Sequence, residues 1–182
     1  MPVEYWNPIP IYYDDVSEEE FEKIKKEIYD NVSDDMYGET EWKDLVQTTM
    51  KFSRNIIKEL CLINLQTLIL KHTLIYFSKI KIKNNYYIID SWCNILPKYG
   101  HQLLHTHSID SNIYTGVYFY ENSIEKMEPL RFVLKNEIRA EDVFYEYTPG
   151  RILIFSGKLS HCVHFNQSDE PRKTFTFNIQ LV

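Results

Sequence analysis

Between Arg172 and Leu181 the chain alternates without a break. Arg172, Thr174, Thr176, Asn178 and Gln180 fall on one side; Lys173, Phe175, Phe177, Ile179 and Leu181 fall on the other. Successive side chains of a strand point to opposite faces, so this stretch reads as a β-strand with one apolar and one polar side. The phenylalanine side can pack on helices. The other side then points into a barrel, yet it is polar throughout and begins with an arginine. A guanidinium taken out of water needs an anionic partner, and the segment offers no carboxylate. A bound anion, held by Arg172 and by the hydroxyl of Thr174, would supply that partner. The plainer alternative is a surface arginine on an edge strand.

The preceding residues share this texture. Runs rich in Tyr, Ile, Val and Phe, separated by turn residues, predict strands over 86–95, 101–107, 113–120, 129–134, 143–147, 151–155, 161–165 and 172–181. Upstream, Pro8 to Tyr13 reads as a short edge strand, since prolines lack the donors a central strand needs. Ser17-Glu-Glu-Glu20 is a capping box, and Phe21, Ile24 and Ile28 follow at helical spacing, which predicts a helix over 18–30. Residues 31–40 form a polar loop. From Trp42 to Lys81 apolar residues recur at three and four, predicting helices over about 43–60 and 63–79. The fold class is therefore mainly β with a helical N-terminal third: an all-β barrel or sandwich with helices packed on one face. At 182 residues this is one domain over 1–182, with a strand and supporting helices in 1–84 and the barrel in 85–182.

Composition narrows the function. A net charge of −6 gives no general attraction to phosphate backbones, so nucleic acid is a poor partner. The most apolar window, Leu60 to Phe77, carries Asn64, Gln66, Lys71 and His72 and is a poor membrane span. Three scattered cysteines, Cys61, Cys93 and Cys162, and the absence of a secretory signal point to a reducing cytoplasm.

The candidate chemistry lies in three histidines. In a strand, His105 and His107 project to one side, and His161 sits in another strand after the apolar run Ile152 to Phe155. A His-x-His pair alone is weak evidence. Joined by His161, the pair could take three facial positions on a divalent metal and leave the others open. His101 reads as a rim residue, His164 as a second-layer or surface residue, and His72 as structural.

The order of motifs resembles the 2-oxoglutarate- and Fe(II)-dependent oxygenases, more narrowly those of phage and marine bacterial genomes. The residues that carry the resemblance are Trp92-Cys-Asn94, His105-Thr-His107, Thr115-Gly-Val-Tyr118-Phe119, Thr148-Pro-Gly150 before the strand to Phe155, His161-Cys-Val163-His-Phe-Asn166, and Arg172-Lys-Thr174-Phe-Thr176-Phe177-Asn178. The resemblance implies a double-stranded β-helix with Fe(II) held by His105, His161 and His107, the last standing where most of the superfamily has Asp or Glu. It implies 2-oxoglutarate as cosubstrate, with its distal carboxylate on Arg172 and Thr174 and further hydrogen bonds from Asn94, Tyr118 and Asn178. O2 would be the oxidant and a peptide or small molecule the substrate, hydroxylated as 2-oxoglutarate is decarboxylated to succinate. Tyr114, Tyr120 and the 31–40 and 121–128 loops are candidates for the pocket mouth. A three-histidine cupin-type enzyme that does not use 2-oxoglutarate, and a non-catalytic binding barrel, are the competing readings.

Overall fold

The computed structural model describes residues 3–6, 9–39, 45–122, 127–135 and 140–182. In chain order the strands are β1 (Val3–Trp6), β2 (Ile9–Asp15), β3 (Gly38–Glu39), β4 (Gln47–Thr48), β5 (Tyr86–Leu96), β6 (Gln102–His105), β7 (Ile113–Tyr118), β8 (Leu130–Lys135), β9 (Ala140–Tyr145), β10 (Arg151–Ser156), β11 (His161–Val163) and β12 (Arg172–Leu181). The helices are α1 (Glu18–Asn31), α2 (Ile56–Glu59) and α3 (Ile63–Lys79). The strands build two antiparallel sheets. The larger runs β1-β2-β10-β7-β12-β5-β4-β3 and the smaller β6-β11-β8-β9. This is a jelly roll, with helices laid on the outside of the larger sheet.

β12 partitions the interior as its alternation requires. Phe175, Phe177 and Ile179 are fully buried on the outer side, in one core with Phe21, Ile24 and Ile28 of α1 and Leu65, Leu68 and Ile69 of α3. Each such side chain contributes roughly 1.5–3 kcal/mol by leaving water. A second core lies between the sheets, where Ile11, Leu96, Val117, Phe119, Leu153 and Phe155 meet Leu130, Phe132, Leu134, Val143 and Val163. Even and odd positions of β2, β7 and β10 thus belong to different cores.

The helices are fastened by capping. Ser17 Oγ accepts from the Glu20 amide, as the capping box requires. The Glu20 carboxylate, however, takes the ammonium of Lys71 on α3 at 3.2 Å instead of turning back. α3 has no capping side chain of its own. Glu27 of α1 does that work across the helix pair, accepting from the amides of Asn64 (2.9 Å) and Leu65 (2.8 Å) and so placing negative charge at the positive end of the helix.

Three local expectations are corrected. The helix predicted over 43–60 is instead β4, a 3-10 turn at Thr49–Lys51 and the single-turn α2. Thr48 caps the 3-10 turn, and Thr49 Oγ1 accepts from the Cys93 amide, binding this stretch to β5. The strand predicted over 8–13 is not at an edge, because β1 pairs outside it with Tyr5 opposite Pro10. The large sheet also draws strands from both sides of residue 84, so the early residues give it four strands rather than one. Residues 8, 40–44 and 123–126, on which parts of these readings fall, lie outside the described residues.

In the large sheet Gly116 faces Phe177 across the β7–β12 ladder. A Cβ on residue 116 would stand 2.0 Å from the tip of that ring. Gly116→Ala is expected to destabilise the fold by about 1–3 kcal/mol, the usual cost of overpacking a core. Urea denaturation should show a lower midpoint at an unchanged slope.

Candidate metal centre

The inner face of the large sheet presents Trp92 and Asn94 from β5, Thr115 and Val117 from β7, and Arg172, Thr174 and Thr176 from β12. The register sets Asn94 against Thr174, Trp92 against Thr176, and Val117 against Thr176. Opposite them, the small sheet brings His105 of β6 level with His161 of β11. His107 lies beyond the end of β6, in a bend. The amides of His107 and Ser108 both donate to the Gly157 carbonyl, at 2.9 and 3.1 Å, and the Gly157 amide donates to Ile113. It is this clamp, rather than strand alternation, that returns the His107 ring to the same space.

The potential ligand atoms of His105, His107 and His161 all lie within 4.8 Å of one another. Nδ1 of His105 is 2.7 Å from the Leu103 carbonyl, and Nδ1 of His161 is 2.9 Å from the Leu159 carbonyl. A carbonyl only accepts, so Nδ1 carries the proton in both rings and Nε2 keeps its lone pair for a metal. Nε2 of His107 and Nε2 of His161 are 3.2 Å apart. Two nitrogens ~2.1 Å from one metal and at a right angle are about 3 Å apart, so this pair is already spaced for shared coordination. Burial first, then the neighbouring His105, holds His107 down to about 3. Burial, then His105 and His107, pushes His161 well below the ordinary value. His107 and His161 are therefore neutral at pH 7, the state a metal needs. Trp92 stacks on His107 at 5.5 Å, and Phe155 and Phe132 flank His161 at 5.1 and 5.9 Å. Among the described residues no carboxylate joins the group.

The other end of the cleft is cationic. Arg172 is 1% exposed. Its Nε donates to the Glu128 carbonyl at 3.1 Å, and its guanidinium carbon lies 5.3 Å from the rings of both Phe119 and Tyr147. One terminal nitrogen has no partner among the described residues. Burial lowers the group to about 10, still charged at neutral pH. Asn94 Nδ2 donates to Thr176 Oγ1 at 3.1 Å, and among the described residues its Oδ1 has no partner. The narrow cleft is lined by these groups with Gln102, Val117, Leu130, Thr174 and the three histidines, and holds about 390 Å³ of atom-free space, mouth included.

Not every residue singled out in the sequence arrives here. His105, His107, His161, Arg172, Thr174 and Asn94 line one cleft. Tyr118 does not: it pairs with Phe175 and is buried in the helix-side core, its hydroxyl without a partner among the described residues. The run from Thr115 to Tyr120 is apolar on both faces, so only its register with β12 decides which side faces inward. Tyr114 and Tyr120 share that outer face, and Tyr37 meets Tyr120 there at 3.3 Å, so none of them lines the mouth. Asn178 is on the inner face but below the cleft, bonded to Thr115. His101 packs on Phe165, His164 accepts from Arg131, and His72 is buried on α3 against the Tyr12 hydroxyl. Trp92 and Val117 entered the sequence reading only as motif members, Thr176 as part of the polar face of the last strand, and Gln102 and Leu130 only inside predicted strands. Carrying the alternation of β12 across to β5 and β7 would have found Trp92 and Val117.

No protein-family model and no curated protein matches the sequence. Solved structures do match in fold. A prolyl-4-hydroxylase from Pseudomonas putida superposes with a TM-score of 0.68 at 13% identity, over 94% of this chain and 92% of that one. The non-heme α-ketoglutarate-dependent carbocyclase SnoK of nogalamycin biosynthesis gives 0.69 at 11% identity, over 97% and 81%. HygX from Streptomyces hygroscopicus, solved with nickel, 2-oxoglutarate and hygromycin B, gives 0.67 at 10%, over 97% and 84%. The chain thus has the jelly-roll fold of these 2-oxoglutarate oxygenases.

The depressed histidines have a measurable consequence in the metal-free protein. Unfolded, both rings bind a proton as pH falls through the ordinary value near 6.5; folded, His107 does so only near 3. Between those values the unfolded state holds more protons, so stability drops as pH falls. Relative to His107→Gln, metal-free wild type should lose stability from about pH 7 downward and show no difference in slope above it. Thermal melts in chelator across that range check this.

Proposed function

We propose that the chain is a 2-oxoglutarate- and Fe(II)-dependent oxygenase that hydroxylates a peptide or small-molecule substrate. The observation that carries the reading is one cleft with three converging imidazoles at one end and a buried, incompletely partnered guanidinium at the other. Three nitrogen donors with open positions suit divalent iron. Fe(II) bound there supplies the redox chemistry, coupling O2 and the oxidation of 2-oxoglutarate to succinate and carbon dioxide with oxidation of the substrate.

The chain's own groups do the rest. His105 and His161, each with Nδ1 tied to a carbonyl, hold fixed donors for the metal. Arg172, fixed by the Glu128 carbonyl and the two aromatic rings, takes the far carboxylate of 2-oxoglutarate, with the Thr174 hydroxyl beside it. Asn94 stands between the anion end and the metal end as a further polar contact. Trp92, Val117 and Leu130 wall the cleft and limit the water that reaches it. The likeness in fold to HygX, whose structure holds nickel and 2-oxoglutarate, supports this assignment. The prolyl-4-hydroxylase likeness supports hydroxylation, and with it a peptide substrate. We take the chain as one domain over 1–182, related to the phage and marine bacterial oxygenases and working in the reducing cytoplasm of a bacterial or phage-infected cell. Its three cysteines are free, and among the described residues no helix is long and apolar enough to cross a membrane.

Anaerobic titration with Fe(II) and 2-oxoglutarate tests the reading through the weak visible charge-transfer band of a chelated keto acid. The band is expected in wild type and absent in His161→Ala. A hydrogen bond to a charged group is worth about 1.5–3 kcal/mol, so Arg172→Ala should need on the order of 10–100-fold more 2-oxoglutarate. Fe(II) uptake with no band at any 2-oxoglutarate concentration would instead identify a three-histidine enzyme without that cosubstrate, and a folded protein that takes up no iron would identify a binding barrel.

A further inference from the structure

The buried guanidinium of Arg172 rests on a ring that is not itself part of the cleft wall. Tyr147 lies just beyond β9 and is stacked on Phe119, with centroids 4.6 Å apart and planes 16° from parallel. The Arg172 guanidinium carbon is 5.3 Å from both ring centroids. The Tyr147 hydroxyl fixes this stack. It donates to the Lys173 carbonyl at 2.7 Å and accepts from the Glu121 amide at 3.3 Å. Lys173 follows Arg172 on β12, and Glu121 lies two residues beyond Phe119, so one phenol ties down the chain on both sides of the cation. Glu121 is anchored in turn. Its carboxylate stands 3.2 Å from the Lys173 ammonium and 3.5 Å from that of Lys25 on α1, and it accepts from the Tyr29 hydroxyl. Arg172 has little else to aim it: among the described residues its Nε has the Glu128 carbonyl, and one terminal nitrogen has no partner.

We propose that Tyr147 is a positioning residue of the anion end, one that sets the preference of the cleft for keto acids carrying a second carboxylate. Its ring confines the Arg172 guanidinium to one orientation, and its hydroxyl fixes that ring to the arginine's own strand. The inference rests on the 2-oxoglutarate reading above and deepens it. A guanidinium holds a carboxylate best when two parallel N–H groups meet both oxygens. A misaimed fork keeps its charge and loses that match. Aromatic rings are suited to the task because they attract the cation and leave its terminal N–H groups to the ligand. A carboxylate at position 147 would grip the arginine more strongly, and would also occupy the donors that a bound anion needs. The one strong polar group of Tyr147 is instead taken up by backbone.

The test compares 2-oxoglutarate with 2-oxopentanoate, a keto acid of the same chain length that ends in a methyl group. Each is titrated anaerobically into the Fe(II)-loaded protein and followed by the same charge-transfer band. Wild type should favour 2-oxoglutarate. Tyr147→Leu is expected to bind it about 10–30-fold more weakly and to bind 2-oxopentanoate as before, so the ratio of the two affinities falls while Fe(II) uptake is unchanged. Tyr147→Phe keeps the ring and loses only the hydroxyl, and its ratio should fall by a smaller factor, about 3-fold. A residue that merely supported the fold would weaken both keto acids alike. Melts of the metal-free proteins identify the folded variants, and Tyr147→Phe carries the test alone where Tyr147→Leu does not fold. Equal losses for both keto acids in a folded variant, or a wild-type ratio in Tyr147→Phe, overturn the proposal. Wild type that forms no band with 2-oxoglutarate, or does not prefer it, sinks the cosubstrate reading itself, and the inference with it.

Discussion

Everything in this molecule depends on the register of β12 between β5 and β7. A strand has two faces, and here they have opposite duties: Phe175, Phe177 and Ile179 seal the helices to the sheet, while Arg172, Thr174, Thr176 and Asn178 form the floor of the cleft and its support. A slip of one residue would exchange the faces, placing a guanidinium under the helices and phenylalanines against the histidines. The glycine at 116 guards against this. Phe177 lies so close over it that no other residue of β7 could take its place without displacing the ring. A bulge between Asn178 and Ile179 then lets β5 change register just below Asp90. Packing on one side of the strand thereby fixes chemistry on the other.

That division explains what was legible in the sequence. The eightfold run of strands after Tyr86, the alternation of β12 and the amphipathic α1 all follow from period and composition, and the structure has them within a few residues. The three histidines were visible as candidates, though for a partly different reason, since His107 is returned by the Gly157 clamp. What could not be read was long-range. Tyr118 was misplaced because both faces of β7 are apolar and nothing local distinguishes them. The stretch before Ile56 was misread because its apolar spacing suits a helix equally well, while its actual partners, the Thr49 hydroxyl with the Cys93 amide and Gln47 with Ile95, are more than forty positions apart. The cap that Glu27 lends to α3 joins two helices that no sequence rule pairs.

The ligand set raises an electrostatic question that the surroundings answer. Three neutral imidazoles leave the full charge of a divalent ion uncompensated, whereas a carboxylate in the third position would cancel part of it. At the far end of the cleft Arg172 adds another positive charge in a buried setting. A cleft so charged attracts anions strongly, because low-dielectric walls weaken screening. On the proposed reading, a dianionic keto acid spanning both ends would meet the metal with one carboxylate and the guanidinium with the other, and the substrate would then bind beside a site whose charge had largely been neutralised.

The same surroundings show why the cleft keeps its shape before anything binds. A buried donor or acceptor without a partner costs about 1–3 kcal/mol, and Arg172 and Asn94 each present one here. Left free, both side chains would turn towards better partners. Arg172 cannot, because its Nε is held by the Glu128 carbonyl and its guanidinium lies against Phe119 and Tyr147. Asn94 cannot, because Thr176 holds its amide nitrogen. Stability spent in this way is recovered when a ligand supplies the missing partners, so the strain of the empty site becomes affinity rather than motion. The phenylalanine face of β12 meets that expense, and for this reason the polar side of the strand can remain so poorly satisfied.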